Sequence, residues 1–266
     1  MRGFTLALVV LGIVSGTALI AAKLYSSRGD SSGGDVAAPD SSTLPAPPTA
    51  AFTIPRPRAL STPVGTTRWA PVLRTTSVRA APRRQARALE RLGPVTPEGT
   101  SNIVPVLARR ADDAGQLWMR VRVPALPVNR EGWVPRVTLG GYTVVSTRLV
   151  VDLDRFEATL YSSDKPVFEA PIGVGTANAP TPRGEFYVRN QLSSYSSPFY
   201  GPIAFGTSAR SATLTDWPAG GFVGIHGTNR PDLLPGRVSH GCIRMRNADI
   251  LRLAELMPIG TPLTIK

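Results

Sequence analysis

The sequence predicts a mainly β fold with one short helix near its C-terminal end, and three observations carry that reading. First, the 266 residues include 25 Gly and 26 Pro, residue types that interrupt helices and supply turns. Second, the apolar runs are short and rich in β-branched residues, and Gly- or Pro-containing turns separate them. Third, the last domain has one short helical stretch, residues 248–257, with Asn247 ahead as a cap and Pro258 behind as a stop.

Taken in chain order, the first segment is apolar. Residues 4–22 carry no charge and lie between Arg2 and Lys23. A bilayer span needs about 20 apolar residues, whereas the core of a cleaved signal is usually about 7–15. Leu19 and Ile20 stand where a cleavage site wants small residues, so residues 1–25 are expected to be a retained signal anchor in the cytoplasmic membrane. A cleaved signal, giving a secreted protein, is the alternative. A linker is expected over residues 26–67. Its Pro, Ser, Ala and Thr cannot bury enough apolar surface to offset ordering entropy.

Residues 68–140 change character. Short β-leaning runs at 103–107, 117–123 and 132–137 place Trp118, Met119, Val121 and Val123, then Trp133 and Val134, between turns. A small β module is expected, with one helix-like stretch over 81–92. The formal charge of +12 rests on 30 basic residues, of which only Lys23, Lys165 and Lys266 are lysines. Zinc-finger spacing, an aromatic RNA-binding signature and a basic helix are all missing, which argues against nucleic acid. A solvated surface, or attraction to an anionic envelope polymer, remains.

Residues 143–266 form the last domain. Residues 149–154 and 155–161 read as paired strands with Phe156, Ala158 and Leu160 on one face. Further strands are expected at 167–174, 185–188, 222–226 and 262–266. The Ser-, Gly- and Pro-rich stretch 193–221 reads as a long loop or a lid.

Scarcity identifies the chemistry. The chain has two histidines and one cysteine, and His226, His240 and Cys242 lie close together in sequence. A lone cysteine in an exported chain makes no internal disulfide. A thiol with a pKa of about 8.5 is a poor nucleophile at neutral pH until an imidazole takes its proton. Gly241 lets the backbone approach a substrate closely and leaves the N–H groups of Gly241 and Cys242 to face an oxyanion. A buried, inert cysteine is one alternative. A zinc site, with Asp232 beside the two histidines and the cysteine, is another.

Two resemblances follow from these residues. The run from Trp118 to Val123, followed by Gly132, Trp133 and Val134, resembles bacterial SH3-like domains. Ile225-His226-Gly227-Thr228-Asn229 and Ser239-His240-Gly241-Cys242-Ile243-Arg244-Met245 resemble the signature of YkuD-type L,D-transpeptidases. The phrases at 173–176 and 181–186 resemble further recurrent motifs of that family. The resemblance implies a β-sandwich-like catalytic domain with Cys242 as nucleophile and His226 as base. It implies that the carbonyl of Gly227 orients the base and that His240 and Gly241 help position the oxyanion. Ser239, Arg244, Asn229 and Tyr200 are the expected substrate-binding residues. Arg244 stands where the family more usually has Asn, and twelve residues separate His226 from Ser239, a short spacing.

The implied reaction is transfer between peptidoglycan stem peptides through a cysteine thioester, giving 3→3 cross-links. No metal or cofactor is needed. Covalent inhibition by β-lactams, carbapenems above all, is expected, and the location is the extracytoplasmic face of a bacterial envelope. Sortases and wall endopeptidases, the rival thiol enzymes, place the Cys before the His or separate the two by far more. A wall-binding module with a vestigial site is the rival of a different class.

Overall fold

The computed structural model describes residues 65–193, 198–213 and 221–266, all within one unit, Phe52–Lys266. The anchor expected over 1–25 lies outside the described residues, as does the linker up to residue 64. At its far end the linker gives way early, because Thr67 already pairs in a strand opposite Val145.

Seven strands form the first sheet: β1 (Thr67–Pro71), β2 (Thr76–Arg79), β3 (Ala88–Leu92), β4 (Ile103–Ala111), β5 (Leu117–Val123), β6 (Arg130–Pro135) and β7 (Thr143–Val145). They lie in the order β3-β2-β6-β5-β4-β1-β7. Alternation on β5 shows why: Met119, Val121 and Val123 are buried with Val78, Val106 and Val134. Arg120 and Arg122 point outward, to Glu131 on the neighbouring β6 at 2.7 and 2.9 Å. Two expectations are corrected here. The helix-like stretch 81–92 is a turn followed by β3, since Pro82 and an exposed arginine cluster leave no apolar stripe for a helix to bury. Residues 143–145, expected in the last domain, close the first sheet instead, because β7 pairs antiparallel with β1.

The second sheet has ten strands: β8 (Thr147–Asp152), β9 (Glu157–Ser162), β10 (Lys165–Pro171), β11 (Gly173–Gly175), β12 (Gly184–Leu192), β13 (Ala204–Arg210), β14 (Phe222–His226), β15 (Gly236–Ser239), β16 (Ile243–Arg244) and β17 (Pro262–Ile265). Their order is β10-β9-β8-β17-β12-β13-β14-β16-β11-β15. β12 joins the two halves. Gly184–Tyr187 pairs with β17, and the ladder to β13 begins at Val188 and shifts register before Asn190. Between the halves lies one core, with Leu149, Val151 and Leu160 from one and Phe205, Val223 and Ile225 from the other. The helix α1 (Asn247–Leu256) adds Ile250 and Leu253 to it. Among the described residues the fold is mainly β with one α-helix.

Two further expectations change. Asn247 does not cap α1: the cap position is Arg246, without a side-chain hydrogen bond, and Asn247 turns elsewhere. The stretch 193–221 is not all loop, because β13 runs through it between β12 and β14.

Where the two sheets meet, Tyr187 donates its hydroxyl to the carbonyl of Ile103 at 3.4 Å. Asn129 donates to Ser208 Oγ at 2.6 Å. Burial raises the Tyr187 phenol well above its ordinary range and so keeps it neutral.

Candidate active site

β14 carries the site because its side chains alternate. Val223 and Ile225 face the main core, which leaves Phe222, Gly224 and His226 on the opposite face. Phe222 forms a small apolar cluster there with Ala204 and Cys242, and Leu192 and Tyr200 pack against it. β14 runs parallel to β16, in register Ile225↔Ile243 and His226↔Arg244. Cys242, one residue before β16, therefore comes beside Gly224, whose N–H donates to the Cys242 Sγ at 3.4 Å. Cys242 is 7% exposed.

His226 is 1% exposed, and its Nδ1 lies 2.6 Å from the carbonyl oxygen of Gly227. A carbonyl can only accept, so the ring proton sits on Nδ1 and Nε2 carries the lone pair of the neutral ring. Burial pushes the imidazole down to about 4; the Gly227 carbonyl pulls it upward, and the Arg244 guanidinium lowers it further. The ring is neutral at neutral pH and able to take a proton.

The loop after His226 is pinned from behind. Asn247 Oδ1 accepts the N–H of Thr228 at 2.9 Å, and the Met245 N–H donates to the His226 carbonyl at 2.9 Å. Gly227 has to be glycine here. A Cβ would collide with Asn247 Oδ1 and would meet Gly201 Cα at 3.0 Å.

Two hydroxyl groups hold the turn that presents the thiol. Ser239 Oγ donates to the Cys242 carbonyl at 2.6 Å and accepts the Gly241 N–H at 3.1 Å. Thr181 Oγ1 donates to the Gly241 carbonyl at 2.8 Å. Gly241 sits at φ +123°, a conformation that disfavours any side chain. These contacts bear on two expectations. Ser239, expected at the substrate, is buried with its hydroxyl engaged by the chain itself. The Gly241 N–H, expected to face an oxyanion, is taken by Ser239.

Around the histidine lies an aromatic group. Tyr200 meets His226 edge-on at 4.9 Å between centroids, and Phe199 lies at 6.3 Å. The Arg244 guanidinium sits 4.6 Å from the Phe199 centroid, with Arg244 itself mostly buried. His240 is exposed on the bend before Gly241, and Asn229 is exposed beyond Thr228. Thus the structure brings Cys242, His226, Gly227, Ser239, Gly241, Tyr200 and Arg244 together, with Asn229 and His240 at the surface. The sequence reading did not single out Phe199 or Phe222 for the site, took Asn247 only as a helix cap, and named Thr181 only within a motif. For the zinc alternative, no group of three or more candidate ligands converges among the described residues. Asp232 is paired with Arg230 at 2.9 Å.

Residues 146–265 match the YkuD family, described as the L,D-transpeptidase catalytic domain. A Bacillus licheniformis protein that carries the name L,D-transpeptidase YkuD is 38% identical over 118 residues, covering 44% of this chain and 64% of the relative. The chain thus spans 64% of that relative's length. A Bacillus subtilis protein named as the L,D-transpeptidase YqjB is 32% identical over 138 residues, covering 47% of this chain and 70% of its own. The NMR structure of the catalytic domain from the E. faecium L,D-transpeptidase is similar at 28% identity. It covers 45% of this chain and 96% of that one, with a TM-score of 0.34.

Proposed function

The chain belongs to the YkuD family of L,D-transpeptidase catalytic domains, and from that premise we propose that it cross-links peptidoglycan stem peptides through a thioester on Cys242. One observation carries the reading: the Cys242 thiol sits against the Gly224 N–H on the strand that ends in His226, whose Nδ1 is tied to the Gly227 carbonyl. That tautomer leaves Nε2 as the atom that takes the thiol proton.

In the first step the thiolate attacks the carbonyl of the third stem residue. A C–S bond forms, the C–N bond to the terminal D-alanine breaks, and the leaving amine receives the proton held by His226. In the second step the side-chain amine of a neighbouring third residue attacks the thioester. The new amide is a 3→3 cross-link, the thiolate leaves, and the proton of the attacking amine returns through His226 to the thiol. The Gly224 N–H stabilises the thiolate in both steps. Tyr200 and Phe199 form an apolar wall beside the imidazole. Arg244 and Asn229 bind polar groups of the stem peptides, and His240 stands at the entrance.

In this reading residues 1–25 anchor the protein in the cytoplasmic membrane and residues 26–67 carry the folded part toward the wall. The test is incubation of the full chain with a disaccharide tetrapeptide, followed by mass spectrometry. D-alanine and 3→3 dimers are expected with the wild type and neither with Cys242→Ala. Equal product from both proteins would refute the assignment.

A further inference from the structure

Arg189 sits at the register shift of β12, between Val188 of the main core and Asn190, and its guanidinium reaches Phe222 on the face of β14 turned away from that core. The side chains of Arg189 and Glu98 are each 3% exposed and meet at 2.6 Å. Glu98 lies in the turn that connects β3 and β4 of the first sheet and that the Val95–Ser101 bridge closes. The same carboxylate accepts from Asn190 Nδ2 at 3.4 Å. Arg189 Nε donates to the Thr207 carbonyl at 2.8 Å, and its Cζ lies 3.8 Å from the centroid of Phe222. Phe222 packs in the cluster that contains Cys242.

A buried ion pair is a weak source of stability, because desolvating two charges roughly cancels their attraction. What this pair does supply is geometry. The guanidinium is a flat plate held at one edge by Glu98 and at another by Thr207, and its face rests on Phe222. Phe222 in turn forms a wall of the thiol's surroundings.

We infer that Arg189 is a positioning residue for Cys242, acting through Phe222, and that Glu98 holds Arg189 in place, so that the first sheet completes the wall of the active site. This rests on the acyl-transfer reading for its effect on turnover, but not for its effect on the thiol. Freed from Arg189, Phe222 shifts and uncovers Cys242 while spoiling its alignment with a substrate.

The experiment compares the full chain with Arg189→Lys, which keeps the ion pair but loses the flat plate, and with Glu98→Met/Arg189→Met, which replaces the pair by apolar side chains. Melting temperature, kcat and KM for D-alanine release, and the rate of Cys242 alkylation by iodoacetamide are measured. The expected result is a melting temperature near that of the wild type, unchanged KM, kcat lower by roughly ten-fold or more, and faster alkylation. If the double variant does not fold, Arg189→Lys alone decides. Wild-type kcat and wild-type alkylation in a folded variant would overturn the inference, as would a loss of turnover that only follows the unfolded fraction. Should the wild type release no D-alanine, the proposed function fails, and the alkylation rates still decide the positioning role.

Discussion

Thr181 Oγ1 donates to the carbonyl of Gly241 at 2.8 Å while accepting the N–H of Gly175 at 2.9 Å, so one buried hydroxyl ties the turn before Cys242 to β11. In a planar trans peptide the Gly241 carbonyl and the Cys242 N–H point in opposite directions, so fixing one aims the other. Thr181 therefore sets the direction of the peptide that carries the thiol.

Thr181→Val keeps the shape and removes the hydroxyl. Two buried polar groups lose their partner, at a cost of about 1–3 kcal/mol for each. Acylation is expected to slow by roughly ten- to a hundred-fold, as an aimed backbone donor is worth at least that much. Thr181→Ser restores the contact and most of the rate. Single-turnover acylation together with urea unfolding separates the two effects, and a valine variant that acylates at the wild-type rate would discount the clamp.

The two histidines differ in burial, and their roles should differ accordingly. His226 lies inside the site with its Nδ1 held, whereas His240 is exposed on the bend. His226→Ala should slow acylation by about 10²–10⁴-fold, the usual worth of a positioned base. His240→Ala should cost less. The reverse order in single-turnover rates would exchange the two assignments.

His226 also makes stability depend on pH. Its folded-state value of about 4 lies below the ordinary 6.5 because the ring is buried. Between those values the unfolded chain binds a proton that the folded chain does not, so stability rises with pH across that window. The contribution is fully present above about pH 6.5 and is lost as pH falls through about 4, on the order of 3 kcal/mol in all. Urea unfolding of the wild type and His226→Asn at pH 7 and pH 4.5 checks the sign. The gap between the two proteins should change toward the variant in acid, and parallel pH curves would contradict the buried, neutral ring.

The proximity of Cys242 and His226 was legible in the sequence because these residue types are scarce: one cysteine and two histidines leave few pairings. The helix was legible through its length and the Pro258 stop, although Asn247 misled as a cap because its side chain holds Thr228 across the loop. β13 was not legible. Its buried residues include Gly206, Thr207 and Ser208, whose polarity reads as loop. Their burial becomes tolerable only through partners far along the chain, as when Thr207 donates to the Val223 carbonyl at 2.7 Å and Ser208 Oγ accepts from Asn129. The Glu98–Arg189 contact escaped for the same reason, since no local pattern marks a pair brought together by the packing of two sheets.

A β-lactam tests the nucleophile without any natural substrate. The strained ring offers Cys242 an activated carbonyl, and attack opens the ring so that the amine stays attached to the adduct. No leaving group departs, and the thioester persists until water or an amine reaches it. Cys242 is 7% exposed and faces Phe222 and Tyr200, so the adduct is partly shielded from water. Intact-mass spectrometry of the full chain with a carbapenem should show one added drug mass, and peptide digestion should place it on Cys242. Cys242→Ala should remain unlabelled and folded, since a methyl group fills nearly the same space as the thiol in this cluster. His226→Ala should be labelled far more slowly, because the thiol then has no base to take its proton. Labelling of Cys242→Ala at the wild-type rate, or none of the wild type by either a carbapenem or a penam, would count against a nucleophilic thiol at this position.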